Sequence, residues 1–293
     1  MIEKLEMLIA LAREEHFGRA AESLGITQPS LSTGIKQLEA QLGVQLVWRG
    51  SRYLGLTPEG QRALDWSRRI VGDARTFREE MRAVHAGLSG ALRLAVIPTA
   101  LTTAAHLTHG FSADHPGVSL SVYSRSSDQI LTMIENLEAD AGITYLDNEP
   151  LGRMTAIPLY RESYHLVVRR GTALAGRATL DWADLADQRL CLLTPDMQNR
   201  RIINLMLHKA GVDPEAGVES NSTVVLMTHV EEGGWATVLP AQMARFLAAG
   251  RDVVSIPIRQ SNAPSVGLIA PWREPHTPVL EALLSAARKQ AEV

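Results

Sequence analysis

A single cysteine stands in this chain of 293 residues. A lone thiol excludes an intramolecular disulfide and a thiolate metal cluster, and it is the usage expected of a reducing cytoplasm. Cys191 lies in the apolar run RLCLL, the setting of a buried strand residue rather than a reactive one. No apolar run approaches the ~18 residues of a membrane-spanning helix. The N-terminal MIEKLEMLIALAREEHF mixes Glu3, Lys4, Glu6 and Arg13 into its apolar pattern. It reads as an amphipathic helix and not as a secretion signal. None of the histidines forms a pair at metal-ligand spacing, and HVEEGG lacks the second histidine of a zinc motif. G-x-S-x-G, P-loop and dinucleotide fingerprints are missing too, so no catalytic or metal-ligating residue is assigned. Neither sign of charge dominates, with a net of −3. What remains is ordinary globular composition and length enough for two or three domains.

The first third of the chain carries the clearest pattern. Leu5, Leu8, Ala12 and Phe17 give a helix one apolar face. Gly18 to Leu24 reads as a short second helix, stopped by Gly25. Thr27 suits the N-cap of a third helix and Pro29 its first turn. Leu31, Ile35, Leu38 and Leu42 mark the buried side of that helix, leaving Ser30, Thr33, Lys36 and Gln37 outside. Helix, glycine turn and helix with a polar leading edge is the helix-turn-helix pattern. Arg19, Thr27, Gln28, Pro29, Ser30, Ser32 and Thr33 would face bases or phosphates, and Lys36 a phosphate. A capped surface helix in another α-domain meets the same spacing, and spacing alone does not separate the two.

Charge does not decide it either: residues 1–57 carry six bases against six acids. Four of the bases, Arg19, Lys36, Arg49 and Arg52, fall in or just beyond the motif. VQLVWRGSRYLGLTPEG reads as two short strands around Arg49-Gly50-Ser51-Arg52, a basic wing able to clamp the DNA backbone. Thr57-Pro58-Glu59 then opens a helix reaching to about Leu88. Ile70, Ala74, Phe77, Met81, Val84 and Leu88 alternate spacings of four and three along it, a heptad seam roughly 45 Å long that invites a second copy. Arg68, Arg69, Arg75, Arg78 and Arg82 lie between them.

The run from Leu5 through Gly60 resembles the N-terminal domain of the LysR-type transcriptional regulators. Ala20-Ala21, Leu24, Gln28-Pro29-Ser30-Leu31-Ser32, Ile35, Leu38-Glu39, Leu42-Gly43, Leu46, Arg49 and Leu56-Thr57-Pro58-Glu59-Gly60 fall where that family has its signature residues. The chain departs from the pattern at Thr33-Gly34 and Val47-Trp48. The first pair lacks a bulkier, often basic residue, which touches base preference and not the role.

Beyond Gly87-Leu88-Ser89-Gly90, a short hinge, strands alternate with helices: ALRLAVIPT, Val118 to Tyr123 and Ala141 to Tyr145 as strands, with helices between. That alternation implies a mainly parallel sheet with a ligand crevice at its strand ends. From about Ser163 the pattern restarts, with VVSIPI on the way back to the first lobe. Two lobes joined by two crossovers resemble the periplasmic-binding-protein-like effector domain of the same family, through Pro116, Asp140 and Gly233-Gly234 with Leu239-Pro240. The implied fold is α/β: a winged helix-turn-helix (1–57), a linker helix and hinge (58–90), and an effector domain (91–293). Lobe I would hold 91–162 and 265–293, and lobe II 163–264.

Three helix starts face that crevice and would hold a small organic anion. They are Thr99-Ala100 with Thr102, Ser126-Ser127, and Thr194 through Met197 to Asn199. Thr144, Tyr145 and Asn221 to Thr223 complete the lining. Thr99, Ser126 and Thr194 read equally as plain helix caps, Asp196 is assigned to capping, and Arg200 and Arg201 read as a solvated helix face ahead of a bidentate fork for a carboxylate. His165 and His229 read as structural.

The resemblance implies a cytoplasmic regulator without a cofactor. Its partners would be double-stranded promoter DNA, further copies of itself as dimer or tetramer, RNA polymerase and a small-molecule effector. The rival readings are a solute-binding protein and an enzyme using the same cleft.

Overall fold

The computed structural model describes all residues except 49–52, 148–149, 214, 261, 273 and 292–293. The chain divides into two compact units. The first comprises Met1–Leu88 with Glu135–Glu138 and Glu274–Pro278, and the second the remainder.

In the first unit α1 (Ile2–Glu14), α2 (Phe17–Ser23) and α3 (Gln28–Leu42) pack around one apolar core, closed by α4 (Pro58–Ala86). Leu5, Leu8 and Leu11 meet Ala20 and Ala21, Leu31, Ile35 and Leu38, and Leu64 and Val71. Burying each of the larger side chains contributes about 1.5–3 kcal/mol. His16 caps α2, its Nδ1 accepting from Gly18 N at 3.0 Å. The helices α1 and α3 approach so closely that a Cβ on Gly34 would lie 2.2 Å from the Met7 sulfur. That approach explains the glycine at the second position of the departing pair Thr33-Gly34.

Leu42 does not join the core as its spacing predicts. It is 47% exposed, because α3 ends there and Gly43, at φ +70°, turns the chain away. The wing exists as a minimal ladder. Val47 bridges Leu56 antiparallel, and Trp48 N donates to Gly55 O at 3.1 Å. Glu39 ties α3 to its base, accepting from Leu46 N at 2.8 Å.

The second unit holds two five-stranded sheets. In one the order is β2 (Val118–Ser124), β1 (Gly90–Val96), β3 (Ala141–Tyr145), β10 (Ser265–Pro271), β4 (Met154–Arg161). In the other it is β7 (Ala216–Ser220), β6 (Leu190–Leu193), β8 (Ala236–Pro240), β5 (Tyr164–Arg169), β9 (Val253–Pro257). The inner pairs β1–β3 and β6–β8 run parallel, as the alternation with helices requires. The returning strand β10 and the first-crossing strand β5 pair antiparallel with their neighbours. The segment VVSIPI stays in the second sheet as its edge strand β9, and the chain crosses back after it.

The helices α5 (Leu101–Asp114), α6 (Ser127–Glu135) and α10 (Pro278–Ala291) belong to the first lobe. The helices α7 (Gln198–Lys209), α8 (Thr223–Glu232) and α9 (Ala241–Ala248) belong to the second. The C-terminal ends of β1, β3 and β6 lead into the segments of Thr99, Leu146 and Thr194, so the topology itself places a crevice between the lobes.

Candidate DNA-reading face and effector cleft

The leading edge of α3 is open to solvent. Gln28, Pro29, Ser30, Thr33, Lys36 and Gln37 are exposed and Ser32 is half-buried, while Leu31, Gly34, Ile35 and Leu38 point inward. Thr27 caps the helix, accepting from Ser30 N at 3.3 Å, and its hydroxyl lies 2.9 Å from that of Ser30. These two hydroxyls therefore shape the helix start, and Ser32, Thr33 and Lys36 carry the open polar surface beyond it. Arg19 is turned back on its own unit, donating to Glu14 O at 2.6 Å. Arg49 and Arg52 lie outside the described residues. Beside the gap, Tyr53 packs edge-on against Phe17, with ring centroids 6.4 Å apart, and anchors the wing to α2.

Along α4 one ridge of apolar side chains is left uncovered among the described residues. Phe77 is 62% exposed, Val84 74%, and Ile70, Met81 and Trp66 stand in the same row. Ala74 and Leu88 are half-buried, and Leu88 falls just beyond the helix, which ends at Gly87.

In the second unit the structure separates capping residues from open ones. Ser126 is a cap: its Oγ takes Gln129 N at 3.4 Å, and Gln129 Oε1 takes Ser126 N at 3.1 Å. Thr99, Thr102 and Thr194 cap nothing, for their hydroxyls have no hydrogen-bond partner among the described residues. Asp196 is no cap either, since α7 starts without a side-chain cap. Its backbone carbonyl instead accepts from Arg201 at 2.8 Å. Arg200 is not a solvated residue. It is buried, with Nη1 at 2.8 Å from both Glu219 Oε1 and Leu193 O.

A cavity of about 260 Å³ opens between the lobes, lined by Ser127, Asp128, Leu131, Thr144, Pro150, Leu151, Gln198 and Arg201. Thr144 donates to Ser127 Oγ at 3.0 Å in its wall. Ala100 and Met197 are buried, as is Thr223, whereas Asn221 is exposed. His165 is fixed by Ser255 at 2.8 Å and His229 by Val225 O at 2.9 Å, both structural contacts.

The lobes are also joined by a buried polar cluster. Tyr145, at the end of β3, donates to Glu162 and accepts from Asn199 Nδ2 at 2.8 Å. The Tyr164 hydroxyl lies 3.5 Å from that of Tyr145. Thr103 of α5 donates to Gln242 of α9 at 2.8 Å, a second link. Burial pushes the Glu162 carboxyl up from its usual range to about 7, and the same burial raises Tyr145, Tyr160 and Tyr164.

A carboxyl raised in the folded state makes stability depend on pH with a definite sign. Between about pH 4.5 and 7 the folded chain holds a proton that the unfolded chain has released. Stability should therefore be fully present below this window and fall across it, on the order of 1 kcal/mol per pH unit. Urea unfolding of Glu162→Gln should show a flatter profile there than the unsubstituted chain.

Sequence reading put Thr144 and Tyr145 in the lining and Gln198 and Asn199 on the third helix start, but it did not single out Glu162 or Thr103. A charged residue in YRESYH signals exposure by composition, and only the crossover topology buries it.

Residues 2–61 match the family described as "Bacterial regulatory helix-turn-helix protein, lysR family", and residues 85–292 the family described as "LysR substrate binding domain". A probable hydrogen peroxide-inducible genes activator of Mycobacterium avium is 31% identical over 249 residues, covering 85% of this chain and 80% of that protein. The DNA-binding transcriptional dual regulator OxyR of Escherichia coli K12 is 28% identical over 288 residues, 96% of this chain and 94% of its own. Among solved structures, a full-length OxyR variant from Pseudomonas aeruginosa superposes with a TM-score of 0.76 at 25% identity, over 98% of this chain and 94% of that one. Full-length CbnR in complex with its target DNA superposes at 0.64 with 21% identity, over 99% and 100%.

Proposed function

The chain belongs to the LysR family of bacterial transcription regulators, with a helix-turn-helix that binds DNA and a substrate-binding domain, and from that premise we propose how its own residues act. The front of α3 enters the major groove. Gln28, Ser32 and Thr33 meet base edges and Lys36 a phosphate, while Thr27, Pro29 and Ser30 set the helix start against the backbone. Arg49 and Arg52 of the wing hold the flanking backbone, and Arg19 steadies the end of α1. Promoter DNA is the target and RNA polymerase the downstream partner, in the cytoplasm. The observation that carries this reading is the open polar front of α3 above a fully apolar inner side.

The α4 ridge pairs two copies, as dimer or as part of a tetramer, because an exposed apolar row of this length marks an interface. Substituting Phe77→Glu together with Met81→Lys should shift the chain to monomer in sedimentation velocity. An unchanged mass would remove the seam.

The inter-lobe cleft binds a small organic molecule with an anionic group. Two features support this: α7 starts there without a side-chain cap, and the Thr99, Thr102 and Thr194 hydroxyls have no partner among the described residues. Binding shifts regulation only insofar as the ligand prefers one arrangement of the lobes. The relatives named for hydrogen peroxide invite a thiol-based alternative. Cys191 does not support it, being the single cysteine, buried in β6, with its thiol pushed up to about 11.

Selection of bound duplexes from a random pool, followed by sequencing, tests the DNA role. Expected is a pair of inverted half-sites spaced by whole helical turns, as two-fold related reading helices demand. Enrichment without symmetry or motif would contradict it.

A further inference from the structure

The helix α6 has a task at each of its ends. Ser127, Asp128 and Leu131, on one side of its start, line the cavity. The helix is seated on β3 without slack, for Ile130 and Ile134 are buried and a Cβ on Gly142 would lie 2.3 Å from Ile130 Cγ2. Its last residue and the three that follow, Glu135–Glu138, belong to the first compact unit. The chain then rejoins lobe I at Asp140, which accepts from Arg93 N at 2.7 Å and pairs with the Arg93 guanidinium at 3.0 Å.

Within the first unit this exit segment is built into the packing. Leu137 packs against the apolar core that α1, α2, α3 and α4 share. Asn136, 8% exposed, accepts from Arg68 Nη2 of α4 at 2.7 Å, and Glu138 pairs with Arg13 of α1 at 3.3 Å. Leu137 also stands at φ +61°, the left-handed region where a helix exit ordinarily takes glycine. A leucine holds that conformation only where its surroundings fix it, and the apolar core does so here. A plain turn between α6 and β3 needs neither a strained leucine nor a buried asparagine. The core that Leu137 joins also contains Leu31, Ile35 and Leu38, the inner side of the reading helix.

We propose that α6 and its exit segment carry the state of the cleft to the reading helix. Side chains at the start of α6 respond to what fills the cavity, and Leu137 at its end passes that shift into the core beneath α3. The inference rests on the cleft being the effector site and adds the route by which its occupancy reaches the DNA-reading face. At nine residues α6 is about 14 Å long, a short rigid element packed at both ends. Coupling of this kind travels through contiguous packed side chains and rigid elements, provided that the far end has two arrangements to choose between. The Arg68–Asn136 and Arg13–Glu138 contacts hold the exit segment in register while it does so.

A double-substitution cycle on the full chain tests this, with the duplex selected from the random pool as the probe. Leu131→Trp puts bulk into the cavity from α6. Leu137→Gly removes the exit side chain and leaves a residue suited to the positive φ. Leu131→Trp alone should change affinity for the duplex about fivefold or more. With Leu137→Gly present, the same substitution should change it by less than about twofold, because the route is cut. Asn136→Ala with Glu138→Gln gives the same comparison from the edge of the segment, should Leu137→Gly fold poorly. A merely stabilising role for Leu137 predicts instead that the two substitutions act independently. Two results would overturn the proposal: an equal response to Leu131→Trp in both backgrounds, or no response in either. The cycle uses no effector, so either result is distinct from a failure of the cleft reading, which would show as a cavity that binds no small molecule.

Discussion

Gly60→Ala is expected to cost the N-terminal unit about 3 kcal/mol or more and to lower its melting temperature by roughly 10–20 °C. The reason is backbone against backbone. A Cβ at this position would lie 2.0 Å from Leu46 O and 2.9 Å from its carbonyl carbon. Neither atom can step aside, because the same carbonyl accepts Thr57 N at 2.9 Å while Thr57 Oγ1 donates to Gln45 O at 2.6 Å. Thr57 also caps α4 through Gly60 N at 2.9 Å, a contact worth about 1 kcal/mol. Opening the contact by the ångström or more that a methyl group requires would break the cap and the wing anchor together. Gly34→Ala is the control. Its new methyl meets the thioether of Met7, a flexible side chain that can swing away, so the loss should stay below about 1.5 kcal/mol. Calorimetry of the full chain should show the first unit's transition move in Gly60→Ala while that of the effector unit stays in place. Equal, small shifts for the two glycines would show that Leu46 yields.

The second large effect concerns recognition rather than folding. Ser32→Ala combined with Lys36→Ala should weaken specific DNA binding about 100-fold, with melting temperature and mass unchanged. Loss of a base-edge contact costs about 1–3 kcal/mol, and loss of a phosphate contact lowers affinity for all sequences and reduces the salt slope by about one. Both side chains lie outside the core, and Ala is a good helix former, so α3 itself should not suffer. Fluorescence anisotropy on operator and scrambled duplexes, across salt concentrations, separates the two terms. Retained preference for the operator would move base reading to other residues.

Local periodicity made the N-terminal unit legible, because its elements are helices whose apolar spacing, caps and glycine stops all lie within a few residues of one another. Thr27 and Thr57 cap where their spacing placed them. Leu42 misled for a local reason as well: it is the last residue of α3, and Gly43 turns the chain away right after it. The two-lobe fold followed from the alternation of strands and helices, whereas the role of VVSIPI did not, since an edge strand and a crossing segment share the same apolar pattern.

The cleft was only half readable. Thr99 and Thr194 look like caps in sequence and differ from Ser126 only in whether a backbone N–H comes within reach. Glu162, Tyr145 and Asn199 come from three separate segments, and their meeting depends on long-range topology that no window of sequence contains. Arg200 shows the same limit, since its burial depends on Glu219 across the sheet.

The most direct test of the DNA-reading front uses the chain's few lysines. Lys36 is exposed on the outer side of α3, and Lys209 and Lys289 are exposed on the effector unit. Brief acetylation of the full chain with and without its selected duplex, followed by mass spectrometry, reads all of them at once. We expect Lys36 to lose most of its labelling when the duplex is bound while Lys209 and Lys289 label as before. An unchanged rate at Lys36 in the saturated complex would mean that α3 faces solvent and that the DNA is held elsewhere.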